Sequence, residues 1–118
     1  MAKFVNPSDR TWGSTPVVGL DMERCVLWDG RWNVFTGFYR MPRGMRLPLH
    51  RHALWVQVLV MEGRMKVDTG AAGTRTIDAG GYYFVEPGDA HVETALEDTV
   101  VFVVSQVEDG RQSNVVPP

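Results

Sequence analysis

The chain has 118 residues, with 12 Lys plus Arg against 14 Asp plus Glu, which gives a formal net charge of −2. This length suits one domain, and a charge so close to neutral excludes an electrostatic case for a nucleic-acid partner. The single cysteine, Cys25, excludes an internal disulfide and a CxxC pair. No apolar run is long enough to cross a bilayer and no signal peptide is evident, so we expect a cytoplasmic protein without a membrane partner.

The predicted elements are strands throughout, because short apolar stretches alternate with turn residues and no stretch has a convincing helical period. In chain order the predicted strands are 24–27, 32–41, 50–62, 64–69, 74–78, 82–85, 91–96 and 100–107. Short strands with turn signals every eight to twelve residues are typical of an antiparallel sandwich or a closed barrel. We therefore predict one all-β domain over residues 1–118, with its core at about 24–107.

The two ends of the chain differ from the middle. Residues 1–20 form an N-terminal arm that is too apolar to stay in water, so we expect it to pack on its own barrel or on a second subunit. Residues 108–118 are polar and end in two prolines, which predicts a frayed C-terminal tail.

Two of the three histidines are separated by one residue on a predicted strand. Side chains alternate between the two faces of a strand, so His50 and His52 point the same way, ~6.6 Å apart along the backbone. Two imidazoles at this spacing can bind one metal ion, since neutral imidazole is a common ligand for divalent metals. The third histidine, His91, lies on another predicted strand. The pair alone is equally compatible with two solvated side chains.

The spacing around the histidines forms two recognisable segments. The first contains Gly44, five residues, His50-Arg51-His52 and a strand ending at Gly63, and the second contains Gly80, five residues, Glu86-Pro87-Gly88, two residues and His91. These segments resemble the two conserved motifs of the cupin superfamily. The resemblance implies an antiparallel jelly-roll barrel with a metal ion inside it, commonly built into a dimer.

The chain departs from the cupin motif where the family has its glutamate ligand, because Val56 occupies that position. Gln57 follows it and can become a fourth ligand only if a bulge turns it toward the histidine pair; a regular strand directs it to the opposite face. Glu93 should share the face of His91, where it could be a fourth ligand, support the other ligands, contact substrate or have no role. We interpret the site as three imidazoles with open positions for substrate and water.

Two segments of the sequence show a closer resemblance. The segments HRHALWVQVLVMEGRMKV and AGGYYFVEPGDAH are similar to parts of acetylacetone dioxygenase and 2,4′-dihydroxyacetophenone dioxygenase. Those small cupins cleave C–C bonds with a metal held by three histidines. The resemblance implies that His50, His52 and His91 bind a divalent metal ion, with Fe(II) favoured and Zn, Ni or Mn as alternatives.

Other residues have weaker claims to a role in the site. Arg46 and Arg40 are candidate contacts to an anionic substrate group, although solvated arginines are equally compatible with the pattern. Arg46 would share the face of His50 if the strand already runs there. The aromatic run 82–84 is interpreted as core or interface, because aromatic side chains on strands usually pack.

These features together predict a mononuclear metal-dependent cupin enzyme, assembled as a homodimer and acting on a small molecule. The favoured activity is a dioxygenase that cleaves a C–C bond in a dicarbonyl or hydroxyketone substrate. One alternative is a non-redox isomerase or lyase acting on a sugar or uronate. Another is a cupin that binds or senses a small ligand without turnover.

Overall fold

The computed structural model describes residues 1–108 and 115–116. In that part of the chain the strands are β1 Gly13–Val17, β2 Leu20–Trp28, β3 Val34–Met41, β4 Arg46–His52, β5 Val56–Glu62, β6 Arg64–Asp68, β7 Thr74–Asp78, β8 Tyr82–Val85, β9 His91–Ala95, β10 Thr99–Gln106 and β11 Val115–Val116. Short 3₁₀ turns lie at Pro7–Asp9, Arg31–Asn33 and Gly70–Ala72. None of the helices in the described residues could span a membrane.

The strands form two sheets whose pairings are all antiparallel. The larger sheet has the order β1-β2-β3-β10-β5-β8, and the smaller has the order β11-β4-β9-β6-β7. The prediction of an all-β, antiparallel jelly-roll fold is confirmed. The buried apolar side chains of both sheets form one cluster, made of Met22, Met41, Leu47, Val56, Val58, Val60, Met65, Val67, Val85, Ala95 and Val101.

The single strand predicted over 50–62 is wrong, because two strands of different sheets occupy that stretch. β4 ends at His52 and pairs with β9, whereas β5 begins at Val56 and pairs with β8 and β10. The chain bends at Ala53 and Leu54 to pass from one sheet to the other. An apolar pattern does not reveal such a bend, since both strands bury alternate residues.

The N-terminal arm contains a strand of the larger sheet. β1 pairs with β2 through a two-residue turn at Val18 and Gly19, whose φ angles of 49° and 81° are those of a tight hairpin turn. Valine is unfavourable at positive φ, so the sequence does not announce this turn. Upstream, Arg10 lies 4.0 Å from the centre of the Phe38 ring, which fixes the arm to its own sheet.

The ends of the sheets extend past the predicted core boundaries. β2 begins at Leu20, ahead of residue 24. In the predicted C-terminal tail, the backbone of β11 pairs with Arg51 and His52 of β4. The tail residues 109–114 and 117–118 lie outside the described part of the chain.

Candidate metal centre

The three histidines converge in the interior of the molecule. One nitrogen atom from each of His50, His52 and His91 lies within 4.8 Å of the other two. His50 and His91 are direct partners across the β4–β9 ladder, with ring centroids 4.2 Å apart. These two side chains are only 2% and 1% exposed, so the ring nitrogens face one another in an enclosed space.

Backbone carbonyls determine which nitrogen of each buried ring is free. Nδ1 of His50 lies 2.7 Å from the carbonyl oxygen of Pro48, and Nδ1 of His91 lies 3.0 Å from that of Asp89. A carbonyl oxygen only accepts hydrogen bonds, so each Nδ1 carries a proton and donates it. In a neutral ring this leaves a lone pair on Nε2, which is the arrangement of histidines that bind metals.

Glu93 brings a carboxylate to the same nitrogens. Its Oε1 lies 3.3 Å from Nε2 of His50 and 3.4 Å from Nε2 of His91. Because the ring protons are on the Nδ1 atoms, the Nε2 lone pairs and the carboxylate oxygen would repel one another. Their close approach therefore requires a cation between them, which is either additional protons on Nε2 or a metal ion. Neighbouring tetrahedral ligands with bonds of ~2.1 Å are ~3.4 Å apart, which matches these separations. The donor set therefore fits a divalent ion.

Tyr83 supports this carboxylate from the other sheet, since its hydroxyl donates a hydrogen bond to Oε2 of Glu93. Burial opposes ionisation of Glu93, but hydrogen bonds from His50, His91 and Tyr83 prevail and lower its pKa. Burial and the adjacent negative charge raise the pKa of Tyr83 well above its usual value, so the phenol stays protonated. Burial lowers the pKa of His91, but Glu93 outweighs it and the net shift is upward.

The histidine cluster lines a cavity of about 130 Å³ between the two sheets. Most of its other lining is apolar. Its polar lining residues away from the cluster are Thr15, Arg24, Tyr39 and Ser105.

Gln57 does not join the histidine cluster. Val56 is buried and lines the cavity, and the next side chain accordingly points to the outer face of β5. There Gln57 Oε1 accepts a hydrogen bond of 2.7 Å from the Tyr82 hydroxyl. β5 pairs regularly with β8 from Val56 to Leu59, so no bulge turns Gln57 inward. The bulge near the histidine pair lies in β4, between Leu47 and His50.

Arg46 also lies outside the cavity, contrary to its expected alignment with His50. The register of β4 shifts between Leu47 and His50, so both of these side chains are buried although they are three positions apart. This bulge reverses the alternation and leaves Arg46 exposed.

Arg40 is exposed on the outer face of β3. Its guanidinium forms a 2.7 Å ion pair with Glu23 and lies 3.6 Å from the centre of the Trp12 ring. Neither candidate arginine lines the histidine cavity.

Three residues of the site were not indicated by the sequence. The strand pattern favoured a core or interface position for Tyr83 and pointed to no role for Arg24 or Tyr39. A signal existed for Tyr83, because it shares a strand face with Val85, which lines the cavity. Arg24 and Tyr39 could be found only by placing β2 and β3 against the histidines.

A two-sheet jelly roll with inward-facing histidines from two motifs defines a metal-binding cupin. The family model described as the ChrR cupin-like domain matches residues 1–108, and the chain belongs to this family. A comparison with curated proteins finds no match.

Several solved cupin structures have a similar fold. A candidate acetylacetone dioxygenase from Methylibium petroleiphilum PM1 has 20% identity and a TM-score of 0.75, covering 98% of this chain and 88% of that one. The polyketide cyclase RemF from Streptomyces resistomycificus also has 20% identity and a TM-score of 0.75, covering 100% and 88%. KdgF from Halomonas sp. has 18% identity and a TM-score of 0.73, covering 92% and 97%. At these identities the similarity shows the fold alone.

Proposed function

We propose that this protein is a mononuclear Fe(II)-dependent dioxygenase that cleaves a C–C bond in a small dicarbonyl or hydroxyketone substrate. The observation that carries the proposal is the convergence of three imidazoles and one carboxylate in a largely apolar cavity. His50, His52 and His91 would hold the ion, with Oε1 of Glu93 completing the set. The similarity to a candidate acetylacetone dioxygenase is consistent with this activity.

The residues of the cavity have distinct tasks in this proposal. When bound, Fe(II) would supply Lewis acidity toward two substrate oxygens and redox chemistry with O₂. O₂ provides one oxygen atom to each carbon of the broken bond, so no external reductant is consumed. Tyr83 restrains Glu93 by occupying Oε2, and the carbonyls of Pro48 and Asp89 fix the histidine rings.

The first experiment measures metal content. Untagged protein is purified in parallel with His91→Ala and Gln57→Ala variants, and bound metal is determined by mass spectrometry. We expect His91→Ala to lose most of its metal, because one of the converging ligands is missing, and Gln57→Ala to retain it. Full metal content in the His91→Ala variant would contradict the proposed site.

The second experiment measures oxygen uptake. Iron-loaded protein is screened with 1,3-diketones and hydroxyketones in an oxygen electrode, with zinc-loaded protein as the control. We expect one O₂ consumed per substrate cleaved, only with iron. Product formation with zinc in the absence of O₂ would reject the dioxygenase proposal.

The contact between Tyr83 and Glu93 favours a second candidate, a non-redox isomerase or lyase acting on a sugar or uronate. A buried carboxylate beside a protonated phenol can accept and return a proton without O₂. Zn, Ni or Mn would suffice there as a Lewis acid. Anaerobic turnover identifies this candidate, whereas ligand binding without any product would identify a binding or sensory cupin.

We further propose that the protein forms a homodimer in the cytoplasm. β8 lies at the edge of the larger sheet, where Tyr82 and Phe84 are 53% and 46% exposed. An exposed aromatic edge strand is a suitable surface for pairing with a second copy. Sedimentation equilibrium should give twice the mass of one chain, and cell fractionation checks the location.

A further inference from the structure

Arg24 lies on the wall of the cavity that faces the histidines. Along β2, Met22 and Arg24 both line the cavity, whereas Glu23 is exposed on the other side of the strand. The histidines come from β4 and β9 of the smaller sheet, and Arg24 comes from the larger one. A cationic side chain and the histidine cluster therefore border one cavity from opposite sheets.

Tyr39 is the cross-strand partner of Arg24. The two residues are paired directly in the β2–β3 ladder, and both line the cavity. Burial raises the pKa of Tyr39, and the nearby guanidinium of Arg24 only partly offsets that rise. Tyr39 is therefore a neutral phenol near pH 7 and a hydrogen-bond donor. The pair offers an anion one positive charge and several N–H and O–H donors.

Arg24 has no carboxylate partner of its own among residues 1–108. Arg40 and Arg64 form ion pairs with Glu23 and Asp78, but none of the ion pairs found in this region includes Arg24. Its guanidinium lies 5.5 Å from the centre of the Phe35 ring, and the residue as a whole is partly buried. A charge placed against apolar walls is stabilised by a counter-ion, and the cavity has room for one.

We infer that the cavity selects substrates bearing a carboxylate, which Arg24 and Tyr39 hold while the opposite end of the molecule reaches the histidines. One guanidinium and a neutral phenol match a planar monoanion, since the guanidinium fork fits a carboxylate with two parallel hydrogen bonds. The cavity of about 130 Å³ has room for a group roughly the size of one aromatic ring. The reference to a reacting end rests on the proposed function, whereas the carboxylate site does not.

The experiment compares benzoate with benzamide, which have nearly the same shape and differ in charge. Binding to metal-free protein is measured by calorimetry at pH 7, so the result is independent of any catalytic activity. We expect benzoate to bind about tenfold more tightly than benzamide to the unmodified protein. Arg24→Gln should remove this preference.

Arg46→Gln is the matched control, because it removes an arginine from the exposed face of β4 and should leave the preference intact. Arg24→Lys keeps the charge but loses the fork, and should retain about a threefold preference. If Arg24→Gln does not fold, the reduced preference for benzoate in Arg24→Lys still tests the inference. An unchanged tenfold preference in a folded Arg24 variant would overturn the inference.

A kinetic comparison connects this site to the proposed function. Iron-loaded protein is assayed with acetylacetone and with 3,5-dioxohexanoate, which adds a carboxylate to the same diketone. We expect Arg24→Gln to raise KM for the carboxylated substrate about tenfold more than it raises KM for acetylacetone. Equal effects on both substrates would contradict the inference. Absence of turnover with both would count against the dioxygenase proposal alone, since the benzoate result stands separately.

Discussion

Glu93 is the residue that most alters the chemistry expected from the sequence. Val56 occupies the usual carboxylate position, which indicates a site of imidazoles alone. In the structure Glu93 reaches Nε2 of His50 and His91 from β9. Strand alternation predicts that Glu93 and His91 share a face, so its direction could be read from the sequence. Its closeness to His50 depends on the β4–β9 register, which the sequence does not specify.

Tyr83 could not be assigned from the sequence because its partner belongs to the other sheet. β8 lies at the edge of the larger sheet and β9 lies within the smaller one. Residues 83 and 93 meet only when the two sheets pack face to face. Tyr82 and Tyr83 are adjacent and chemically identical, yet one hydroxyl contacts Gln57 outside and the other contacts Glu93 inside.

These two tyrosines allow a matched test at the level of single residues. Tyr83→Phe removes the donor that orients Glu93, and we expect the affinity for the divalent ion to fall about tenfold, a typical cost of losing a partner of a ligand. Tyr82→Phe should leave the affinity unchanged. Competition with a chelator measures both constants, and equal affinities in the two variants would show that Tyr83 does not support the ion.

Strand boundaries could be predicted from the sequence where turn residues lie on both sides of a strand. The predicted strands 74–78 and 82–85 coincide with β7 and β8, since turn residues bound them on both sides. β4 was harder to predict, because the bulge between Leu47 and His50 changes which side chains face inward. That irregularity places Arg46 outside, and Pro48, which lies within it, is a residue type typical of a bulge.

The turn between β5 and β6 provides a prediction at the level of elements. Gly63 has a φ of +83°, and a Cβ there would overlap the carbonyl oxygen of Asp98 and the hydroxyl of Thr99. Gly44 has a φ of +87° but open space around it. We expect Gly44→Ala to cost about 1 kcal/mol from backbone strain alone, and Gly63→Ala about 3 kcal/mol. Urea unfolding measures both values, and equal costs would contradict the packing argument.

The strand and turn pattern predicted an antiparallel sandwich or barrel. The jelly-roll class and the convergence of His50, His52 and His91 were implied by the resemblance of the glycine and histidine spacing to the cupin motifs. The sequence did not predict the β1–β2 hairpin, whose turn contains Val18 at positive φ. It also did not predict the cavity wall opposite the histidines, because that wall depends on how the sheets face each other.

The buried contact between His91 and Glu93 predicts how the stability of the molecule depends on pH. The pKa of His91 is raised above 6.5, so its contribution is fully present below pH 6.5 and is lost as the pH rises through the folded value. The lowered pKa of Glu93 gives a contribution that is lost only in acid. In the presence of a chelator we expect the melting temperature to fall as the pH rises from 6.5 toward 9.

A bound divalent ion should remove this alkaline decline. Metal binding displaces the additional protons from the imidazoles, and affinity increases as the histidines become neutral. Melting curves with and without Zn(II) across this pH range provide the comparison. An identical pH dependence in both series would argue that the ion does not occupy the position of these protons.

The cavity is lined by residues from most of the strands, and its first hairpin lies far from its histidines along the chain. Thr15 and Arg24 belong to the first hairpin, whereas every histidine comes later, from β4 and β9. Substitutions in this first hairpin would therefore change the cavity wall without replacing any of the three histidines. Exchanging this N-terminal hairpin between relatives is a direct way to alter which small molecules bind while the three imidazoles stay the same.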